Sequence, residues 1–334
     1  MAPRRSTLSR VSTLDDALGP GPWAVSALLQ QGWSQDQVDR AVRAGALTRV
    51  RRGIVAEARD VDPQSSTGLA VLLATLAPSA ALSHATAAVP QGLWTPFRSD
   101  SRVQVTIAGA AERSDSGLRV HGSRLPRELI HVVDGLPMTR PGRTAMDLGR
   151  GRSFPDALVA VDGAARALVL AFGIDRWSIR RREVPDDLLA AVAVELDEAF
   201  RSVWGWPGTR VLRQALAVRD VASESPSESW SRGVLLLGGL PAPEVNVPVR
   251  GRSGREYWGD LVWRRHRLIG EVDGQGKYGD DAETRRRRMD EERGREDDLI
   301  AAGWRFVRWG TGERSRVVLA RAGRALGLPF RVTA

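Results

Sequence analysis

The stretch YWGDLVWRRHRLIGEVDGQGKY, residues 257–278, decides how the rest of the chain is read. Aromatic and β-branched residues dominate 257–263 and 268–273, which predicts two strands joined by a short basic turn. Side chains alternate faces along a strand, so Asp260 shares a face with Trp258 and Val262, and Glu271 shares one with Asp273. A hairpin symmetric about Arg265-His266 pairs Arg264 with Arg267, and counting back sets Asp260 opposite Glu271. Directly opposed residues have Cβ atoms about 4.5–5.5 Å apart. Two carboxylates that close repel unless a proton or a cation lies between them, and oxygen-only ligands favour Mg²⁺ or Mn²⁺. In the competing reading these acids cap a solvated hairpin and offset its arginines. Against it, Glu271 and Asp273 interrupt an apolar strand that runs into the turn Gly274-Gln275-Gly276.

The order Asp260, one turn, then Glu271-Val272-Asp273-Gly274 resembles the PD-(D/E)XK nuclease fold, in the branch similar to very-short-patch-repair endonucleases. The resemblance runs from Ser223 to about Leu326 and includes a second block, EERGREDDLIAAGWRFVRW, at 291–309. It implies that Asp260 and Glu271 bind the metal of an Mg²⁺-dependent (or Mn²⁺-dependent) DNA endonuclease, and that a helix glutamate at the place of Glu228 approaches it. Read from the residues, Ser225 at N-cap, Pro226 at N1 and Glu228 at N3 form a capping box that by itself accounts for Glu228, so both roles stand. The position two after Glu271, usually lysine in the wider superfamily, is Asp273. Lys277 is the candidate replacement cation, with Asp273 assisting at the metal. The alternative is a DNA-binding regulator or antitoxin whose nuclease fold survives as a docking surface.

The chain has 334 residues, enough for two or three domains, and 42% of them are hydrophobic. A net charge of +9 points to a polyanionic partner, of which double-stranded DNA is the expected one. With no cysteine, disulfides and thiolate zinc sites are excluded, which fits a cytoplasmic location. MAPRRSTLSR has arginines but no following apolar core, so a basic arm rather than a secretory signal is expected.

From residue 23, WAVSALLQQG predicts a helix stopped by Gly32, and Ser34 caps a second helix over 35–44. ALTRVRRGIVAEA then alternates as a hairpin with Gly53 in its turn. Two helices and a basic hairpin follow the winged helix-turn-helix order. The second helix would present Gln35, Gln37, Arg40 and Arg43 to bases, and Arg49, Arg51 and Arg52 would meet phosphates. This block is similar to the N-terminal domain of AbiEi-type antitoxins of bacterial type IV toxin–antitoxin systems, which implies a cognate toxin as a further partner.

Residues 61–220 alternate helix and strand patterns, and the succession from Ser83-His84 to MDL also resembles the region following the winged helix in AbiEi-like proteins. His84, His121 and His131 have no acid or second histidine at ligand spacing and are read as packing residues. Arg143 and Asp147 are four apart on a helix and predict an ion pair. The run ASESPSES predicts a boundary near 221–226. The expected organisation is therefore an α/β chain of three domains: a winged helix with its basic arm (1–60), an α/β middle domain (61–220) and a restriction-endonuclease-like α/β domain (221–334). Four arginines at 285–288, on a charged helix beside the cleft, are candidates for phosphate contact.

Overall fold

The computed structural model describes residues 11, 14, 18, 21–58, 65–97, 99–115, 117–273 and 282–331. Lys277 and the glycine turn at 274–276 lie outside them, as do the side chains of Arg51, Arg285 and Arg288. The chain mixes helix and sheet in two compact units, 1–90 with 100–140, and 91–99 with 141–334. Among the described residues no helix is long and apolar enough to cross a membrane.

The first unit opens with β1 (Trp23–Ala24), α1 (Val25–Gln30), α2 (Gln35–Arg43), β2 (Leu47–Arg51) and β3 (Ile54–Glu57). The strands form an antiparallel sheet in the order β1-β3-β2. Ser34 starts α2 through a capping box with Gln37, satisfying two backbone N–H groups that a helix start leaves unpaired. Gly53, at φ +78°, supplies the left-handed residue of the β2–β3 turn. Val11, Leu14, Trp23, Leu28, Val38, Ala41, Leu47 and Val55 close a small core between helices and sheet.

Next come α3 (Ser66–Ala74), β4 (Ala81–Leu82), α4 (His84–Ala88), β5 (Val103–Thr106), β6 (Arg113–Ser114), β7 (Leu118–His121), β8 (Ile130–Val133) and β9 (Leu136–Thr139). They build a mixed sheet in the order β6-β7-β5-β4-β9-β8, in which β4 is parallel to β9 and β5 to β7. Leu69 and Leu72 of α3 and Ala87 of α4 pack against Val105, Val120 and Met138.

In the second unit, α5 (Pro141–Gly149), α6 (Phe154–Ala171), α7 (Arg176–Arg180), α8 (Asp186–Ser202) and α9 (Thr209–Ala217) precede α10 (Pro226–Leu237). A four-stranded sheet follows: β10 (Glu244–Arg250), β11 (Glu256–Trp263), β12 (Leu268–Asp273) and, after α11 (Ala282–Ala301), β13 (Arg305–Gly310), before the closing α12 (Ser315–Leu326). β10, β11 and β12 are antiparallel, and β13 runs parallel to β12 across the α11 crossover. Leu299 and Trp304 cover one face over Val247, Val249, Val262 and Ile269. On α10, Ser231 accepts from the buried Trp309 indole at 2.9 Å.

The expected boundary near 221–226 lies inside this unit. Asp162 of α6, fully buried, accepts from Arg232 (2.8 Å) and Ser229 (2.7 Å) of α10 and from the Asp220 N–H (2.9 Å). Gly233 packs so tightly on Pro155 that a Cβ there would lie 2.7 Å from its Cα. The intervening loop is pinned by Arg166 to the Val221 carbonyl (3.0 Å), Arg180 to Glu224 (2.8 Å) and Arg182 to Asp220 (2.7 Å). Serine and proline give the stretch the composition of a linker, but the arginines that anchor it come from helices and loops roughly 40 residues or more earlier in the chain.

Candidate metal centre and nucleic-acid surfaces

Glu228 takes part in capping α10. The Ser225 hydroxyl accepts from the Glu228 N–H (3.2 Å) and donates to Glu228 Oε1 (2.8 Å), while Oε2 accepts from the Glu224 N–H (2.9 Å) and from Asn246 Nδ2 (2.7 Å). It is also buried, at 9% exposure, and lies near Asp260. Burial first, and the Asp260 charge second, push its carboxyl up to about 7 against the opposing hydrogen bonds from Glu224, Ser225 and Asn246.

The hairpin register follows the expected count: Trp263 pairs with Leu268, Val262 with Ile269 and Leu261 with Gly270. The turn differs. It is a three-residue helical turn, Arg264–His266, closed by Arg267 in the left-handed region at φ +45°. The ladder stops one step before Asp260 and Glu271, because Asp260 Oδ2 instead accepts from the Val272 N–H at 3.1 Å. On the other side of β11, Val245 pairs with Leu261 and Val247 with Gly259, leaving Asn246 and Asp260 level but outside the ladder. Asn246, Asp260 and Glu271 thus form one row across three strands.

Glu271 is 6% exposed, and both of its oxygens are occupied by guanidinium groups. Arg295 of α11 donates to Oε1 at 2.7 Å and Arg308 of β13 donates to Oε2 at 2.7 Å. Arg308 also forms a two-point pair with Glu296 at 3.1 Å, and Arg295 reaches the Trp258 carbonyl at 2.9 Å. Burial works against the Arg308 charge, but Glu296 and Glu271 outweigh it and raise its pKa. The cation that two facing acids demand is therefore, for Glu271, arginine. Asp273 is exposed at the end of β12, and its carbonyl accepts from Thr311. Arg180 stacks over Trp258 at 5.3 Å, beside Asp260 in the chain.

Among the described residues no group of three or more His, Asp or Glu side chains is gathered to hold a metal ion. The acids that lie near each other are Glu228 and Asp260, and Asn246 Nδ2 donates to Glu228. Asn246 Oδ1 is buried and unpartnered, which suits a hard divalent cation. Sequence reasoning missed Asn246, Arg295 and Arg308. The signals for them were weak: one polar residue inside VNV, and basic residues in a charged helix and in WRFVRW.

In the first unit, Gln35, Arg40, Arg43, Arg49 and Arg52 lie at the surface. Gln37 is not a free reader, since its side chain accepts from the Ser34 N–H at 2.8 Å. Gln35 donates to Asp39 at 3.2 Å, and Arg49 is ion-paired with the same aspartate. The backbone of Arg51 pairs with Ile54 in the β2–β3 hairpin. Two of the three histidines read as isolated are partners: His84 and His121 stack at 3.7 Å, with Ser83 beside His84 (3.0 Å) and Gln104 beside His121 (3.1 Å). Strand β7 lies two strands from β4, which leads into α4, and sequence spacing cannot show that proximity. Arg143 and Asp147 form the expected pair, fully buried, at 3.0 Å.

No protein-family model matches the chain. Two uncharacterised proteins of Mycobacterium tuberculosis, MT2308 of strain CDC 1551 / Oshkosh and Rv2248 of strain H37Rv, are each 29% identical over 245 residues, spanning 72% of this chain and 78% of theirs. Among solved structures, the crystal structure of the RV2827C protein from M. tuberculosis aligns with a TM-score of 0.36 at 18% identity, covering 65% of this chain and 83% of that one.

Proposed function

We propose that the protein binds double-stranded DNA through its first unit and hydrolyses DNA phosphodiesters, with a divalent cation, in its second. The observation that carries the hydrolytic reading is the like-charge pair of Glu228 and Asp260, with the Glu228 carboxyl raised to about 7 beside a step of the sheet that lacks ladder bonds. Buried carboxylates perturbed in this way are more frequent at functional sites than in scaffolding. Asp260 and Glu228 would hold Mg²⁺ or Mn²⁺. Such an ion, when bound, stabilises charge developing on a phosphate and acidifies a neighbouring water. Glu271 aligns Arg295 and Arg308, and these guanidiniums take the cationic role that the family pattern gives to a lysine, in place of Asp273. Lys277 is a second candidate for that role.

Support for DNA binding comes from the helix–helix–hairpin order of the first unit and from the exposed Arg40, Arg43 and Arg52. The resemblance to AbiEi-type antitoxins makes a cognate toxin a candidate partner for the same unit. Cleavage of supercoiled plasmid with Mg²⁺ or Mn²⁺ tests the reading. Activity should fall by about three orders of magnitude in Asp260→Asn and in Glu228→Gln. A metal-independent rate, or parental rates in both variants, would refute it.

One observation favours a second reading, a DNA-binding regulator with an inactive nuclease fold: both Glu271 oxygens are already bound by arginine. That reading requires tight DNA binding with no cleavage under any divalent metal.

A further inference from the structure

The turn between α8 and α9 carries charge and aromatic surface that the sheet site does not use. Residues 199–219, AFRSVWGWPGTRVLRQALAVR, hold two tryptophans, four arginines and no acid. Trp204 is 58% exposed, and the Arg213 guanidinium lies over its ring, 4.5 Å from the centroid. Phe200 meets the same ring edge-on at 5.5 Å, which holds the indole against the end of α8. Two residues on, half-buried Trp206 has two guanidiniums over its ring, Arg143 at 5.4 Å and Arg150 at 5.1 Å. The turn packs on the loop after α5: a Cβ at Gly208 would lie 2.4 Å from the Gly151 N and 3.3 Å from Arg150 Cγ.

The charge here is not balanced within the protein. Asp147 neutralises Arg143, but among the described residues no acid pairs with Arg150, Arg201, Arg210 or Arg213. Asp197 and Glu198, one turn back on α8, pair with none of them. Arg201, Arg210 and Arg213 are exposed. Arg210 stands in the first turn of α9, where the helix dipole favours an acid, yet that turn has none and the Gly208 N-cap brings no capping side chain. Unpaired guanidiniums around an open indole call for a partner that is both anionic and planar. An acidic peptide supplies only the charge. Nucleic acid supplies both, and a base offers its whole face to an aromatic ring only when it is free of the duplex stack. We propose that the α8–α9 turn binds single-stranded DNA, with Trp204 stacking on an unpaired base and Arg201, Arg210 and Arg213 meeting the adjoining phosphates. The choice of DNA over RNA rests on the function proposed above; the stacking surface itself is independent of the sheet site.

Fluorescence anisotropy of the full chain with a labelled oligothymidylate, and in parallel with a labelled duplex of equal length, tests this. Trp204→Ala should weaken oligothymidylate binding about tenfold and leave duplex affinity within about twofold. Trp204→Phe, which keeps an aromatic face, should recover most of the loss. The double variant Arg201→Gln/Arg210→Gln should lower the slope of log affinity against log salt by about 0.7 for each phosphate contact removed, which decides the matter even if Trp204→Ala does not fold. Parental oligothymidylate affinity in the folded variants, or an equal loss on the duplex, overturns the proposal. So does displacement of the oligonucleotide by polyglutamate at equal charge, which marks a site for acidic protein, and so does tighter binding of oligouridylate, which marks one for RNA. Plasmid cleavage tests the hydrolytic reading separately, so the two stand or fall apart.

Discussion

Two acids on neighbouring strands of one sheet meet opposite fates. Asp260 sits near Glu228 and pushes that carboxyl up, whereas Glu271, the next residue in the same row, lies between Arg295 and Arg308. The contrast is one of charge compensation. A carboxylate balanced by guanidinium groups is a structural tie that becomes costly only when broken. A carboxylate buried near another acid has its protonated form favoured, as Glu228 does. The sheet therefore carries one acid tied by arginines and another close to a second acid.

The sharpest way to break this comparison is to neutralise each acid in turn. Glu271→Gln leaves two partly buried guanidiniums short of charge and should cost about 3 kcal/mol in urea melts without metal. Asp260→Asn retains an acceptor for the Val272 N–H and removes a like charge from Glu228, so its stability should stay within about 0.5 kcal/mol of the parent or rise. Equal losses in the two variants would erase the distinction.

Titration sharpens the contrast at the Glu228 end. The Glu228 carboxyl is raised from 4.5 to about 7 in the folded protein, so folding favours its protonated form. Its contribution is fully present below about pH 4.5 and disappears as pH rises through 7, up to about 3 kcal/mol in all. Metal-free stability should decline across that window, and Glu228→Gln should flatten the decline. A parent curve without slope between those limits would contradict the geometry. Added Mn²⁺ should oppose the decline at its alkaline end.

A similar distinction between paired and exposed charge applies on α2 and the β2–β3 hairpin. Arg40→Ala, Arg43→Ala and Arg52→Ala should each lower the slope of log DNA affinity against log salt by about 0.9 for every phosphate the arginine neutralises. Arg49→Ala should lower it less, because Asp39 already holds that guanidinium. The smallest effect is expected at Gln37. Its alanine variant should lose about 0.5–1 kcal/mol of stability through the capping box, with DNA affinity unchanged once folding is allowed for. A loss of affinity in a fully folded Gln37→Ala would restore it as a reader of bases.

Local rules carry far into this chain. The N-caps at Ser34 and Ser225, the ion pair of Arg143 and Asp147, and the hairpin register back to Leu261 and Gly270 all depend on residues within a few positions of each other or on one turn, and each is legible in the residues alone. Glu228 is legible as a cap from its N3 position, while its burial is not. What the sequence by itself determined is the set of elements and the position of each acid within its element. Tertiary structure alone decided which charges meet. Arg295 and Arg308 reach Glu271 from 24 and 37 positions away, Arg232 reaches Asp162 across 70, and Asn246 meets Glu228 across 18. Those partnerships fix where a carboxylate is held by arginine and where it lies near another acid. No periodicity encodes them, because Coulomb energy depends on distance in space and on burial, and both are set only when the helices close over the sheet.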